Sequence, residues 1–169
     1  MLSYDIVKAI NEEDILRFLL LTENMEEDVL NTVHDETLGL TMVGYAVYMN
    51  LYGILNVLIQ RNADLNSVDD IGDTPLITAC KEKDMLAVEL LIEAGAKVNK
   101  PDPSGYTPLH WSVLMSRVSF EIVEFLVKHG ADPHAKANNG KTPMILATEA
   151  LNNECIGVLI NMNKKGDTL

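Results

Sequence analysis

Cysteine is scarce in this chain: Cys80 and Cys155 are the two present in 169 residues, far apart and outside any CxxC or Cys/His cluster. That pattern is neither a disulfide framework nor a structural zinc site, and it predicts two reduced thiols packed as small hydrophobes. Aromatic residues make up only 5% of the chain, with a single tryptophan, so wherever they gather is informative. No stretch approaches the ~20 uninterrupted apolar residues of a membrane-spanning helix. At 47% hydrophobic and 22% charged, the composition still supports a buried core and excludes a wholly disordered chain. Basic side chains number 13 against 25 acidic ones, which argues against nucleic-acid binding through a basic surface. The start, Met1-Leu2-Ser3-Tyr4-Asp5, lacks the basic and apolar segments of a secretory signal, and a cytoplasmic location is expected.

Motifs for chemistry are missing as well. There is no GxxxxGK[ST], GxGxxG, HExxH or GxSxG, so no phosphate cradle, dinucleotide loop, zinc-protease helix or nucleophile elbow is expected. His129 and His134 stand five positions apart without further visible ligands, and no metal is expected there. Acidic pairs such as Glu12-Glu13 and Asp69-Asp70 arise readily in a chain with 25 acids and carry no acid/base role. The reading is of a protein that is not an enzyme and needs no cofactor.

What the chain does have is an internal repeat. Gly72-Asp73-Thr74-Pro75-Leu76 returns 33 residues later as Gly105-Tyr106-Thr107-Pro108-Leu109-His110, and after 35 more as Gly140-Lys141-Thr142-Pro143-Met144. The downstream halves match too: Gly95-Ala96-Lys97-Val98-Asn99 corresponds to Gly130-Ala131-Asp132 and to Asn62-Ala63-Asp64-Leu65-Asn66. Threonine followed by proline is a helix start, because the hydroxyl accepts from an orphan N–H and proline loses nothing at the first helical position. Met85, Val88, Leu91 and Ile92 form the apolar stripe of a second helix. Asp84 can cap that helix, and Gly95, Gly130 and Asn62 follow helix ends where a left-handed residue is wanted. Units are expected at 36–68, 69–101, 102–136 and 137–162, followed by a tail at 163–169. Ahead of them, residues 1–35 comprise a covering helical pair within Tyr4–Leu21, with Ile6, Val7, Ile10, Ile15, Leu16, Phe18 and Leu19 packing, and an acidic connection over Leu21–Asp35. Met42 replaces proline in the first unit and specifies its helix start less well, while Ser116–Ser119 carries a two-residue insertion.

These motifs resemble the ankyrin repeat, closely over about residues 36–162 and loosely before that. The resemblance implies an all-α solenoid, residues 1–169 forming one domain of stacked helix-turn-helix units with projecting turns. It also implies that His110 is a structural hydrogen-bonding residue between neighbouring turns, and that the concave side grips a folded protein. Carried onto this sequence, that side comprises Thr37, Leu38, Leu40, Tyr45, Tyr48 and Met49, then Asp70, Ile71, Asp73, Thr78, Lys81 and Glu82. The third unit contributes Pro103, Ser104, Tyr106, Trp111, Leu114 and Met115, and the fourth Asn138, Asn139, Lys141, Leu146 and Glu149. The only tryptophan and three of the five tyrosines fall on this side, residue types that interfaces enrich.

Residues 1–68 carry three basic and eleven acidic side chains, for −8, and residues 69–169 carry ten and fourteen, for −4. A partner with a basic, partly apolar surface is expected, met by Trp111, Tyr106 and Met115 as anchors and by Asp70, Asp73 and the acidic N-terminal half as an electrostatic rim. The role expected first is an inhibitor or neutraliser, such as an immunity-type protein, monomeric when free. Two others stay open: an adaptor bridging two proteins, and a substrate of asparaginyl hydroxylation at Asn66 and Asn99, whose setting resembles such sites in the family. A homodimer through the end unit is the alternative to the monomer, with Met144, Cys155 and Val158 as the residues short of cover.

Overall fold

The computed structural model describes residues 4–12, 14–23, 39–115 and 120–166. Among them lie ten helices and no β-strand: α1 (Tyr4–Asn11), α2 (Ile15–Thr22), α3 (Met42–Tyr48), α4 (Tyr52–Gln60), α5 (Pro75–Glu82), α6 (Met85–Glu93), α7 (Pro108–Met115), α8 (Glu121–Lys128), α9 (Pro143–Glu149) and α10 (Asn153–Gly166). Within each unit the two helices pack together, and the first helices form a row, α3 against α5, α5 against α7, α7 against α9. Second helices follow, with α6 on α8 and α8 on α10, while α2 closes on α4. The architecture is the expected all-α solenoid. Most of the acidic connection, Thr37, Leu38, the insertion at 116–119 and the end of the tail lie outside the described residues.

The helix starts show why threonine matters more than the proline after it. Thr74 Oγ1 accepts from the N–H of Ile77 at 3.2 Å, and Thr142 Oγ1 from Ile145 at 3.2 Å. In the first unit Thr41 Oγ1 does the same for Gly44 at 3.0 Å. α3 thus begins in register although Met42 replaces proline, since the cap alone contributes about 1 kcal/mol. Between the two helices the chain reverses through a left-handed residue, Asn50 in the first unit, Lys83 in the second and Leu151 in the fourth, at φ 57°, 61° and 53°. Second helices then restart on side-chain caps: Asp84 Oδ1 accepts from Ala87 at 3.1 Å and Asn152 Oδ1 from Cys155 at 3.0 Å. Asn62, Gly95 and Gly130 follow helix ends at positive φ, as expected.

One apolar core runs the length of the stack, from Ile6 to Leu159. Leu55, Leu58, Leu91, Leu109 and Leu126 are all fully buried, and burying such a side chain contributes about 1.5–3 kcal/mol. Both cysteines are buried within it, and burial pushes the Cys80 thiol well above its ordinary pKa. At the N-terminal end Ile6, Ile10 and Phe18 pack inward, but Ile15 and Leu16, expected with them, are 37% and 81% exposed. α2 is instead fastened by Arg61, whose guanidinium donates to Thr22 O at 2.5 Å, Thr22 Oγ1 at 2.7 Å and Leu19 O at 3.3 Å. A cation at a helix C-terminus satisfies orphan carbonyls and complements the dipole. α10 continues through Gly166, past the unit boundary expected at 162.

Leu151 is 82% exposed and sits at φ 53°, a conformation that a bulky side chain disfavours and asparagine tolerates. Leu151→Asn is therefore expected to raise stability by about 0.5–1 kcal/mol in urea unfolding. An unchanged or lower midpoint would reject that reading of the turn.

Candidate protein-binding face

The projecting turns are built on one residue each. In the second unit Asp69 Oδ1 accepts from Ile71 N at 3.1 Å and Asp73 N at 2.8 Å; in the third, Asp102 Oδ1 accepts from Ser104 N and Tyr106 N, both at 2.9 Å. Such an aspartate organises its own turn. The fourth unit has Ala137 there, and Asn139 Oδ1 takes over by accepting from Lys141 N at 3.0 Å. Successive turns are laced together: Asp70 N donates to Gly39 O at 3.1 Å and Asn138 N to Ser104 O at 3.0 Å. At the boundary between them stands Pro103, which has no N–H. Its ring packs on Gly72, where a Cβ would lie 2.3 Å from Pro103 Cγ and where φ is +88°, so that position accepts no side chain.

Above this lacing, Trp111 joins two units. Its indole N–H donates to Asp102 Oδ2 at 2.9 Å, and Lys81 of the preceding unit holds its ammonium 4.0 Å from the ring centroid. Lys81 also pairs with Asp73. Tyr106 completes the cluster, 5.6 Å from the Trp111 ring and 5.2 Å from His110, with its hydroxyl accepting from Asn139 Nδ2 at 2.8 Å. A cation over an indole face is worth about 0.5–2 kcal/mol. The result is an aromatic floor whose polar atoms are already engaged.

His110 does what its motif implies. Its Nδ1 accepts from Thr107 N at 3.1 Å, which assigns the proton to Nε2, and Nε2 donates to Lys141 O of the next unit at 3.2 Å. The asparagine pair has a structural share too. Asn66 Oδ1 accepts from Lys97 N at 2.7 Å, Asn99 Oδ1 from Asp132 N at 2.8 Å, and Asn99 Nδ2 donates to Gly130 O at 2.8 Å.

The expected contact residues divide by exposure. Ile71 is 70% exposed at its turn tip, Met49 42%, Tyr48 41% and Leu114 36%. Asp70 is exposed, while Tyr45, Tyr106, Trp111 and Met115 are half-buried. Asp73 departs from the role of a rim charge: it is buried and paired with Lys81, and burial raises its carboxyl above the ordinary value more than Lys81 lowers it. Leu40, Thr78 and Leu146, also expected on the surface, are buried. Asp102 and the clasp of Lys81 were not anticipated; the shared spacing from Asp69 to Thr74 and from Asp102 to Thr107 was the available signal. The seventh position of each first helix, Tyr48, Lys81, Leu114 and Glu149, forms a row along this side.

With that geometry established, known proteins offer a comparison. A family model described as ankyrin repeats, in three copies, matches residues 43–137, more than half of the chain. The chain belongs to the ankyrin-repeat family, and its repeats constitute a protein-interaction module. It is 49% identical to the human 2-5A-dependent ribonuclease over 76 residues, 44% of this chain but 10% of that enzyme. It is also 28% identical over 156 residues to the ankyrin repeat protein FPV031 of fowlpox virus, covering 89% of this chain and 44% of that one. With the ankyrin repeat protein YahD of Escherichia coli it shares 34% over 100 residues, 57% of this chain and 50% of the other. The chain thus spans between a tenth and a half of these relatives' lengths.

His110 is expected to make the stability of the stack depend on pH. Burial lowers its pKa below 6.5, outweighing the raising effect of Lys141 O and nearby carboxylates. Below 6.5 the unfolded chain binds the proton that the folded one refuses, so stability falls as pH drops. Isoleucine occupies the equivalent position in the second and fourth units, as Ile77 and Ile145. His110→Ile is expected to flatten the dependence of unfolding free energy on pH between about 7 and 5; an unaltered slope would clear His110 of that role.

Proposed function

We propose that this chain is a non-catalytic, cytoplasmic binding module that holds one folded protein against its row of first helices and turn tips, acting as an inhibitor or neutraliser of the immunity type. The observation carrying this reading is the pairing of an interlinked floor with exposed apolar residues. Trp111, Tyr106, Lys81 and Asp102 are tied to one another, while Ile71, Tyr48, Met49 and Leu114, contributed by the first three units, stand exposed. Apolar groups presented on a preorganised base lose little entropy on binding, and an exposed apolar cluster is more often a contact site than decoration.

The partner surface that fits is basic and partly apolar. Asp70, Glu82 and Glu149 are exposed on this side, and the chain carries a net charge of −12. Such charges act mainly on the rate of encounter, and buried anchors on the lifetime of the complex. One contact side suffices to block a partner, which favours inhibition over bridging. The enzymes among the relatives, such as the ribonuclease, match over a small fraction of their length, and the reading takes only the repeat module from them.

Affinity capture from the native source, with wild type beside an Ile71→Asp/Tyr48→Ala variant, tests this. Both positions are exposed, so equal helicity is expected by circular dichroism. The variant should bind the captured partner at least about 30-fold more weakly, the effect of losing one anchor of ~2 kcal/mol. Equal retention would remove this face as the binding site.

A further inference from the structure

Asp73 has two other buried carboxylates near it, Asp69 of its own turn and Asp102 of the third unit's turn; the three are 5%, 8% and 9% exposed. Lys81 of α5 is the one cation facing Asp73 among the described residues. The three acids are held differently. Asp69 Oδ1 accepts from two backbone N–H groups, Asp102 Oδ1 from two more, and Asp102 Oδ2 from the indole of Trp111. The Asp73 carboxylate accepts from Lys81, and no backbone N–H among the described residues donates to it. Hydrogen bonds to a carboxylate favour its charged form, so the charge on Asp73 depends on its ion pair alone.

That ion pair aims Lys81 at Trp111, where the ammonium stands 4.0 Å from the ring centroid. With Asp73 ionised the pair is neutral, and the exposed charges beside it, Asp70 and Glu82, are acidic. With Asp73 protonated the same place carries one uncompensated positive charge, in the second of the four units that form the row. The Lys81 side chain is 24% exposed, so water is at hand for an ammonium that loses its partner.

We infer that Asp73 is a proton-operated latch on the contact face: on taking a proton it lets go of Lys81, which leaves the indole of Trp111 and adds a positive charge where a basic partner is held. Acidification thereby loosens the complex. The effect on the partner rests on the proposed function, whereas the latch itself belongs to this chain alone. Burial raises the Asp73 carboxyl above its ordinary value, and Asp69 and Asp102 raise it further against the lowering effect of Lys81. The folded chain takes up this proton more readily than the unfolded one. Stability from this group is therefore present at low pH and lost as pH rises through the folded value, so the latch opens without weakening the stack. The effect expected of His110 has the opposite sign, which lets the two be told apart.

Trp111 reports the latch, because it is the single tryptophan. Its emission would be followed from about pH 7 down to about pH 4 in a His110→Ile background, which removes the neighbouring imidazole, with Asp73→Asn and Lys81→Met made separately in that background. The background chain should show a step in emission with its midpoint above the ordinary aspartate value of about 3.9, at constant helicity by circular dichroism, and both variants should lack it. Flat emission, a step that survives in either variant, or a step that coincides with loss of helix would overturn the latch. The protein captured through Ile71 and Tyr48 should bind about fivefold more weakly at about pH 5 than at about pH 7, the effect of one added charge at contact distance, and Asp73→Asn should abolish that difference; an equal loss in both would overturn the effect on binding. A Trp111 step beside a partner indifferent to Ile71 and Tyr48 would reject the proposed function and support the latch. A partner lost with Ile71 and Tyr48 beside a silent Trp111 would support the function and overturn the latch.

Discussion

No unit of this chain can bury the apolar sides of both its helices by itself, and the rest of the structure follows from that. Each pair is finished by its neighbour, so the core is a column running from Ile6 to Leu159, and stability is a sum of interfaces between units. The polar chemistry obeys the same constraint. Asn66 and Asn99 reach the next unit's loop, His110 reaches the carbonyl of Lys141, and Arg61 clasps the end of α2. None of these bonds would exist in a unit standing alone.

The proposed binding face inherits its order from this stacking. Trp111 belongs to the third unit, yet its surroundings come from two: Asp102 from its own turn and Lys81 from the helix before it. Lys81 in turn is aimed by Asp73, a carboxylate buried for that purpose rather than offered to a partner. A contact surface assembled across a boundary is only as ordered as the boundary. That is why the tip residues, Ile71 above all, can be exposed and apolar while their base is fixed.

Much of this was legible because the period forces local signals to agree. Thr74, Thr107 and Thr142 mark helix starts, Gly95 and Gly130 mark ends, and the fold class needs little more. The covering pair was legible from its apolar residues, though Leu16 and Ile15 show that a short apolar helix does not reveal which of its sides is covered. The site was less readable. Exposure at Asp73, Leu40, Thr78 and Leu146 depends on how neighbouring units close over them, and position within one unit carries no record of that. Trp111 was recognisable as unusual by composition, but its partners Asp102 and Lys81 lie nine residues away in one direction and in another unit altogether. Cover within the fourth unit was misread in part for a related reason: Cys155, expected short of cover, is buried, whereas Ile145 is exposed.

The most direct test of the account uses Trp111 as a built-in reporter, since the chain contains a single tryptophan and it lies at the boundary between two units. Denaturant unfolding would be followed in parallel by Trp111 fluorescence and by far-ultraviolet circular dichroism, which reports all helices. If the surface is assembled by the stack, the two transitions coincide, because the indole environment persists only as long as the boundary does. A Trp111 signal that changes at clearly lower denaturant, with the helices intact, would show that the aromatic floor is a local feature and would contradict the central claim.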